Sequence, residues 1–124
     1  MLTQGKSGTA TTTVTVKNTA KTVGSGSLDV FSTPMMIALM EQAACECLAD
    51  GLEPCQTSVG TQINVAHTAA SALGAIISAT ATIEQVDGRK ILFAVTASDG
   101  TNEIGYGTHE RFIVDAEKFM ARLK

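Results

Sequence analysis

The sequence is poor in aromatic residues, which make up 4% of its 124 positions and include no tryptophan. Hydrophobic residues make up 44% of the chain, so its core must be built from Ala, Val, Ile, Leu and Met. A chain of this length forms one domain and buries a limited apolar area. We therefore expect a single domain over residues 1–124 that covers its remaining apolar face with a second subunit.

Clustered positive charge and long apolar runs are also missing. The net charge is −3 and the nine Lys and Arg residues are scattered, which argues against nucleic acid as a partner. The apolar run from Met35 meets Glu41 within seven residues and is too short to span a bilayer. The N-terminal segment lacks the apolar stretch of a signal peptide. These features predict a cytoplasmic protein that binds neither nucleic acid nor membrane.

The three cysteines, Cys45, Cys47 and Cys55, are an odd number and indicate reduced thiols. One residue separates the first two, which is not zinc-knuckle spacing, and no histidine lies at a matching distance. We expect no metal site and interpret the cysteines as small buried hydrophobic residues.

The apolar pattern predicts one long helix and several antiparallel strands. Thr33 is placed to cap the helix with Pro34 at its first position, and Asp87-Gly88 predicts a type I′ hairpin. Asp115 is placed to cap a short terminal helix. The predicted elements are a strand over 11–17, a loop over 18–30, a helix over 33–49, strands over 59–68, 75–86, 90–98 and 101–114, and a helix over 116–123.

Helical spacing puts several apolar residues on one face of the long helix. One apolar helix against a sheet in which four strands form a meander is a two-layer α+β architecture. In the last strand, Ile104, Tyr106, Phe112 and Val114 share one phase. The predicted helix face consists of Met36, Leu39, Met40, Ala43 and Cys47.

Three polar residues stand where the apolar pattern does not call for them: Thr33, Glu41 and His67. They supply a hydroxyl, a carboxylate and an imidazole, the groups of a hydrolytic site. Each also has an ordinary structural explanation, as a helix cap, a solvent-facing helix residue and a buried core histidine respectively. In the functional interpretation, the free N–H groups at the helix start stabilise an oxyanion, and His67 donates to that oxyanion or moves a proton.

The helical neighbours of Glu41 are the apolar residues Ile37, Ala44 and Leu48. They predict a desolvated carboxylate of raised basicity, able to activate water or attack an acyl carbon.

Further candidates lie near these three. Met36, with Met35, lines a flexible apolar pocket or simply belongs to the core. Gly60 leaves its backbone N–H accessible to a ligand. Arg111 either lies on a surface strand of mixed charge or binds a phosphate or carboxylate.

Three segments, VFSTPMMIALMEQAA (30–44), SVGTQINVAHTAA (58–70) and DGTNEIGYGTHERFIV (99–114), resemble the fluoroacetyl-CoA thioesterase-like group of hot-dog-fold proteins. The resemblance implies a sheet wrapped around the long helix, a homodimer or tetramer with its active site between subunits, and hydrolysis of acyl-CoA. It implies no cofactor beyond the CoA of the substrate. It assigns catalysis to Thr33, Glu41 and His67.

The resemblance also implies that Gly60 contacts the acyl end of the substrate and that Arg111 lies near the site. We expect Phe31 and Met36 to bind substrate as well, and Arg89 or Lys90 to hold CoA. The fluoroacetyl-selective member of the family has a phenylalanine gate where this chain has Ser27, with Leu28 or Phe31 as possible substitutes. We therefore expect a short- or medium-chain acyl-CoA as substrate. The alternatives are an enoyl-CoA hydratase on the same fold, a non-catalytic acyl-CoA-binding module and a purely structural dimer.

Overall fold

The computed structural model describes all 124 residues and contains five strands and three helices. A single turn of 3-10 helix, Ala49–Gly51, follows the long helix. In chain order the elements are β1 (Ser7–Thr13), α1 (Ala20–Val23), α2 (Thr33–Leu48), β2 (Gln56–His67), β3 (Ile76–Asp87), β4 (Lys90–Ser98), β5 (Glu103–Asp115) and α3 (Ala116–Ala121).

The five strands form one antiparallel sheet in the order β1-β3-β4-β5-β2. The predicted four-strand meander is wrong in one respect, because β2 pairs with β5 and not with β3, its neighbour in sequence. Only β3, β4 and β5 follow one another as a meander. The strand β2 therefore lies at an edge of the sheet, next to the strand that carries His109 and Arg111.

The helix α2 packs against the inner face of the sheet and supplies most of the central core. Its predicted apolar face is confirmed, because all five of those residues are buried. The contact is close because small residues line it. A Cβ on Gly8 of β1 would meet the helix backbone at Ala43 and Cys47. Phe31 and Phe93 are the aromatic members of the core. The arrangement confirms the α+β hot-dog architecture.

The segment before α2 differs from the prediction. The first strand ends at Thr13, because the Asn18 side chain accepts from the Thr15 N–H and donates to the Thr13 carbonyl. These two bonds close a turn where the alternation of Thr and Val predicts a strand. The expected loop also contains α1, a single helical turn capped by Thr19.

The β3–β4 hairpin is where the sequence predicts it, but the turn type differs. Gly88 has a φ of 61°, and no residue other than glycine has a positive φ. Because a type I′ turn needs positive φ at both central positions, Arg89 excludes it. Glycine at the first central position fits a type II′ turn instead.

The inward face of β5 is not the predicted one. Ser98 pairs with Glu103 and Ala97 pairs with Gly105, so Ile104 is the extra residue of a bulge. The bulge reverses the phase of the strand and exposes Tyr106 and Phe112. The residues that face inward are His109, Arg111 and Ile113. This reversal brings the late polar segment of the strand into the candidate site.

No helix of the protein is both long and apolar enough to cross a membrane. All three cysteines are free thiols, but only Cys47 is buried as predicted, while Cys45 and Cys55 are exposed. The Cys47 thiol lies against the Lys6 carbonyl, and burial raises the pKa of that thiol.

Candidate active site

The Thr33 hydroxyl lies 2.8 Å from Nδ1 of His67. This contact exists because the helix cap is not where the sequence places it. Ser32 is the N-cap, and its side chain accepts from the Met35 N–H. Thr33 is therefore the first residue of α2, and its side chain is free to bond with the last residue of β2.

His67 is partly buried and lies beside a cavity of about 270 Å³. Phe31 packs edge-on against its ring, with ring centroids 6.5 Å apart. Burial lowers the pKa of His67, and the backbone of Ala69 opposes this shift more weakly. The imidazole is therefore neutral at pH 7. Its Nε2 is buried and has no hydrogen-bond partner within the chain. The residues lining the cavity are Ala20, Ser25, Val30, Phe31, Thr33, His67, Thr68, Ala69 and Ala70.

Glu41 lies in a second group of residues. Its Oε2 accepts from Nη1 of Arg111 at 3.2 Å, and its side chain is 41% exposed. The predicted apolar surroundings are thus a poor description of this carboxylate, which lies against a cation at the rim of a cavity of about 260 Å³. Gly60 and His109 line the same cavity. One carboxylate oxygen is held by Arg111, and Oε1 has no hydrogen-bond partner within the chain.

Gly60 is in contact with this carboxylate. A Cβ at position 60 would lie 2.6 Å from Oε2 of Glu41 and 3.3 Å from Nη1 of Arg111. Only glycine leaves space for the Glu41–Arg111 pair at this point of β2. A register shift between Gly60 and Gln62 follows immediately.

Arg111 is buried, contrary to a position on a surface strand, and all three nitrogens of its guanidinium have a partner. Nε donates to the Ser58 hydroxyl at 2.8 Å, and Nη2 donates to the Ser58 carbonyl at 3.0 Å. Nη1 donates to Glu41 and also lies 3.1 Å from Nε2 of His109. Of the two ligands the sequence suggests for Arg111, the structure shows a carboxylate, that of Glu41.

Sequence reasoning missed Ser58 and His109. His109 is 2% exposed, its Nδ1 lies 2.8 Å from the Gln62 carbonyl, and its ring stacks on Phe93. His109 and Arg111 are two residues apart on one strand and therefore share a face, which the sequence shows. The sequence does not show that this face is the inward one, because that depends on the bulge at Ile104.

The remaining predicted residues lie elsewhere. Met36 is fully buried in the core, where its side chain lies close to Gly105, and it lines none of the cavities. Arg89 lines a separate cavity of about 430 Å³ at the start of β2 and along α3. Lys90 is exposed at the start of β4. Leu28 is 67% exposed and lines no cavity, whereas Phe31 lines the one beside His67. No three His, Cys, Asp or Glu side chains are grouped to hold a metal ion.

One chain thus carries two separate groups of candidate residues: Thr33 with His67, and Glu41 with Gly60 and Arg111. Thr33 and Glu41 are eight residues apart on α2, which places them about 12 Å apart along the helix axis. The three predicted catalytic residues therefore do not converge on one point within a single chain.

Comparison with known proteins identifies the family. The family model described as fluoroacetyl-CoA-specific thioesterase matches residues 14–117. The chain belongs to this family. A fluoroacetyl-CoA thioesterase from Streptantibioticus cattleyicolor is 45% identical over 96 residues, which cover 77% of this chain and 69% of that protein. The family is one of thioester hydrolases.

Solved structures agree with this assignment. The fluoroacetyl-CoA thioesterase FlK superposes with a TM-score of 0.92 at 36% identity, covering 99% of this chain and 96% of the other. A phenylalanine-to-alanine variant of FlK, solved with fluoroacetate and CoA, gives a TM-score of 0.89 at 37% identity, covering 95% and 99%. A thioesterase superfamily member from Thermus thermophilus, at 24% identity and a TM-score of 0.91 over 99% and 91%, shares the fold.

Proposed function

We propose that the protein hydrolyses a short- or medium-chain acyl-CoA to the free acid and CoA, without a metal ion. The observation that carries this proposal is the Thr33–His67 pair at the edge of a cavity, together with a carboxylate that Arg111 holds by one oxygen. Family membership supports the thioesterase chemistry.

Each side chain has a role that follows from its contacts. We assign the Thr33 hydroxyl as the donor to Nδ1 of His67, 2.8 Å away. With this assignment Nε2 carries the proton and donates to the thioester oxygen as negative charge develops there. The free Oε1 of Glu41 attacks the carbonyl carbon or removes a proton from the water that does so. In the water route, the C–S bond then breaks and the proton that Glu41 removed passes to the CoA thiolate, which leaves the free acid. In the direct route, breaking the C–S bond leaves an anhydride between Glu41 and the acyl group, and a water molecule then hydrolyses this anhydride to the free acid, restores the carboxylate and supplies the proton that the thiolate takes up.

The complete site requires two subunits in this proposal. Because Thr33 and Glu41 of one chain are about 12 Å apart along the helix, one carbonyl cannot contact both. We place the Thr33–His67 pair of one protomer opposite the Glu41 group of its partner in a homodimer, which two dimers extend to a tetramer. The unpaired edge of β2, with Ile63 37% exposed, supports such an interface.

The acyl group enters the cavity beside His67. Small side chains form much of its wall, including Ala20, Ser25, Ala69 and Ala70. These residues leave room for an acyl chain longer than fluoroacetyl. Arg89, and Lys90 beside it, remain our proposal for binding the phosphates of CoA, and the free cysteines support a reducing, cytoplasmic location.

The direct test measures free thiol from a panel of acyl-CoAs of increasing chain length. We expect hydrolysis, with loss of most activity in Glu41→Ala and in His67→Ala. Wild-type rates in both variants would reject the site. Tight binding of an acyl-CoA in a calorimeter without thiol release would favour a binding module instead.

A mixing experiment tests the shared site. Glu41→Gln and His67→Ala are each expected to be inactive alone. When the two are unfolded together and refolded as mixed dimers, one of the two sites regains both functional halves, so activity returns. Mixed dimers without activity would show that each site uses the residues of a single chain.

A further inference from the structure

The Glu41 carboxylate is held through a chain of contacts that begins at a buried histidine, His109. His109 contacts Arg111, and Arg111 contacts Glu41. His109 is 2% exposed, so it is shielded from solvent by the chain itself. This inference rests on the proposed role of Glu41.

The contacts of His109 determine its protonation. Nδ1 lies 2.8 Å from the Gln62 carbonyl, which only accepts, so Nδ1 carries a hydrogen. Nε2 lies 3.1 Å from Nη1 of Arg111, and a guanidinium only donates, so Nε2 must present its lone pair. The imidazole is therefore neutral, with its hydrogen on Nδ1. Stacking on Phe93 fixes the plane of the ring.

Hydrogen bonds to Ser58 and to His109 therefore hold the guanidinium of Arg111 in place from two directions. Ser58 accepts from the N–H of Nε and from one N–H of Nη2, and His109 accepts from one of the two N–H groups of Nη1. The remaining N–H of Nη1 points to Oε2 of Glu41. We propose that His109 is a positioning residue for catalysis, which acts through Arg111 to hold Oε2 of Glu41 and leave Oε1 for the reaction.

Protonation of His109 would reverse this arrangement. Nε2 would become a donor facing the guanidinium of Arg111, while Oε2 of Glu41 lies only 3.9 Å away. The new cation would repel Arg111 and attract Glu41, which lowers the basicity of that carboxylate. The charged groups near His109 are Glu41 from α2 and Arg111 and Glu110 from β5. The acid side of the activity profile therefore reports the protonation of His109.

Two variants separate positioning from packing. His109→Phe keeps a ring against Phe93 but removes the acceptor, whereas the side-chain oxygen of His109→Gln can still accept from Arg111. We expect His109→Phe to lose about 100-fold in kcat with little change in KM, because a carboxylate displaced by about 1 Å costs that much. His109→Gln should retain most of kcat. The acid side of the pH–activity profile of His109→Gln should be less steep than that of the wild type, because the variant lacks one titrating group.

Nitrogen NMR of the full-length protein gives a readout that does not depend on activity. We expect His109 at pH 7 to be neutral with its hydrogen on Nδ1, even in Glu41→Ala. A hydrogen on Nε2, wild-type kcat in folded His109→Phe, or an unchanged acid side of the profile in His109→Gln would each overturn the inference. If the wild-type protein releases no thiol from any acyl-CoA, the proposed function fails. If Glu41→Ala is fully active, the role of Glu41 fails; if Glu41→Ala is inactive and His109→Phe is active, only the positioning role of His109 fails.

Discussion

Ser32 and Thr33 are adjacent at the start of α2, yet only Ser32 caps the helix, and Thr33 bonds to His67 across the fold. The Ser32 hydroxyl accepts from the Met35 N–H, while the Thr33 hydroxyl lies 2.8 Å from Nδ1 of His67. Two neighbouring hydroxyls thus have different tasks. One stabilises the helix, and the other orients an imidazole.

The first prediction separates these two tasks. Thr33→Val preserves side-chain shape and removes the hydroxyl, so we expect about 100-fold lower kcat with the fold intact, since the imidazole loses its orienting partner. Thr33→Ser keeps the hydroxyl and should remain active. Ser32→Ala should lose about 1 kcal/mol of folding stability as a lost cap, with kcat nearly unchanged. Thiol release and urea unfolding measure the two quantities.

One outcome would contradict this division of roles between Ser32 and Thr33. If Thr33→Val unfolds more easily than Ser32→Ala but retains kcat, then Thr33 is a structural residue and the pairing with His67 has no catalytic role.

The second prediction compares two glycines of the same sheet. A Cβ at Gly60 meets the Glu41 carboxylate, the end of a flexible side chain, whereas a Cβ at Gly8 meets the backbone of α2. Gly60→Ala should therefore displace Glu41 and reduce kcat while the protein stays folded. Gly8→Ala should cost about 1–3 kcal/mol of stability because the helix must move away from the sheet. Equal loss of stability in the two variants, with kcat retained in Gly60→Ala, would contradict this assignment.

Much of the fold could be predicted from the chain because its elements follow local rules. The apolar spacing of α2, the turn at Gly88 and the cap at Asp115 each depend on nearby residues, and each lies close to where the sequence predicts it. The pairing of β2 with β5 could not be read in this way, since residues far apart in the chain determine it.

The candidate site was predictable only in part. The sequence singles out Thr33 and His67 but does not predict that their side chains are paired, and the environment of Glu41 depends on a bulge at Ile104 that leaves no clear mark in the sequence. Without that bulge, strand alternation places His109 and Arg111 on the face opposite Ile104. The sequence therefore indicates the candidate residues and gives no indication of the network that holds Glu41.

The third prediction concerns stability and pH. Burial lowers the pKa of His67 and of His109 in the folded protein, and Arg111 lowers that of His109 further. In the unfolded chain both imidazoles have a pKa of about 6.5, so below that pH the unfolded chain binds more protons than the folded protein does. The stability that depends on the two neutral histidines should be fully present above about pH 6.5. It should be lost as the pH falls from there through the lower pKa values of the folded state.

Urea unfolding at about pH 7.5 and about pH 5 measures this effect, in a range where the capping aspartates, which titrate below about pH 4, stay ionised. The difference in unfolding free energy between the two pH values should shrink in His109→Gln and shrink further when His67→Gln is added. An unchanged difference in the double variant would show that other groups cause it.

The fourth prediction concerns acyl length. Ser25 lies in the wall of the cavity beside His67, and its side chain is exposed to that space. Ser25→Phe should fill part of the cavity and exclude longer acyl chains, while acetyl-CoA still reaches the thioester position. Discrimination of about 10-fold or more for each excluded methylene is the expected scale for such a pocket. The ratio of kcat/KM for hexanoyl-CoA to that for acetyl-CoA measures it, with acetyl-CoA as the internal control. A ratio unchanged by Ser25→Phe would place the acyl chain elsewhere, because a phenyl ring in this wall leaves a bound chain too little room.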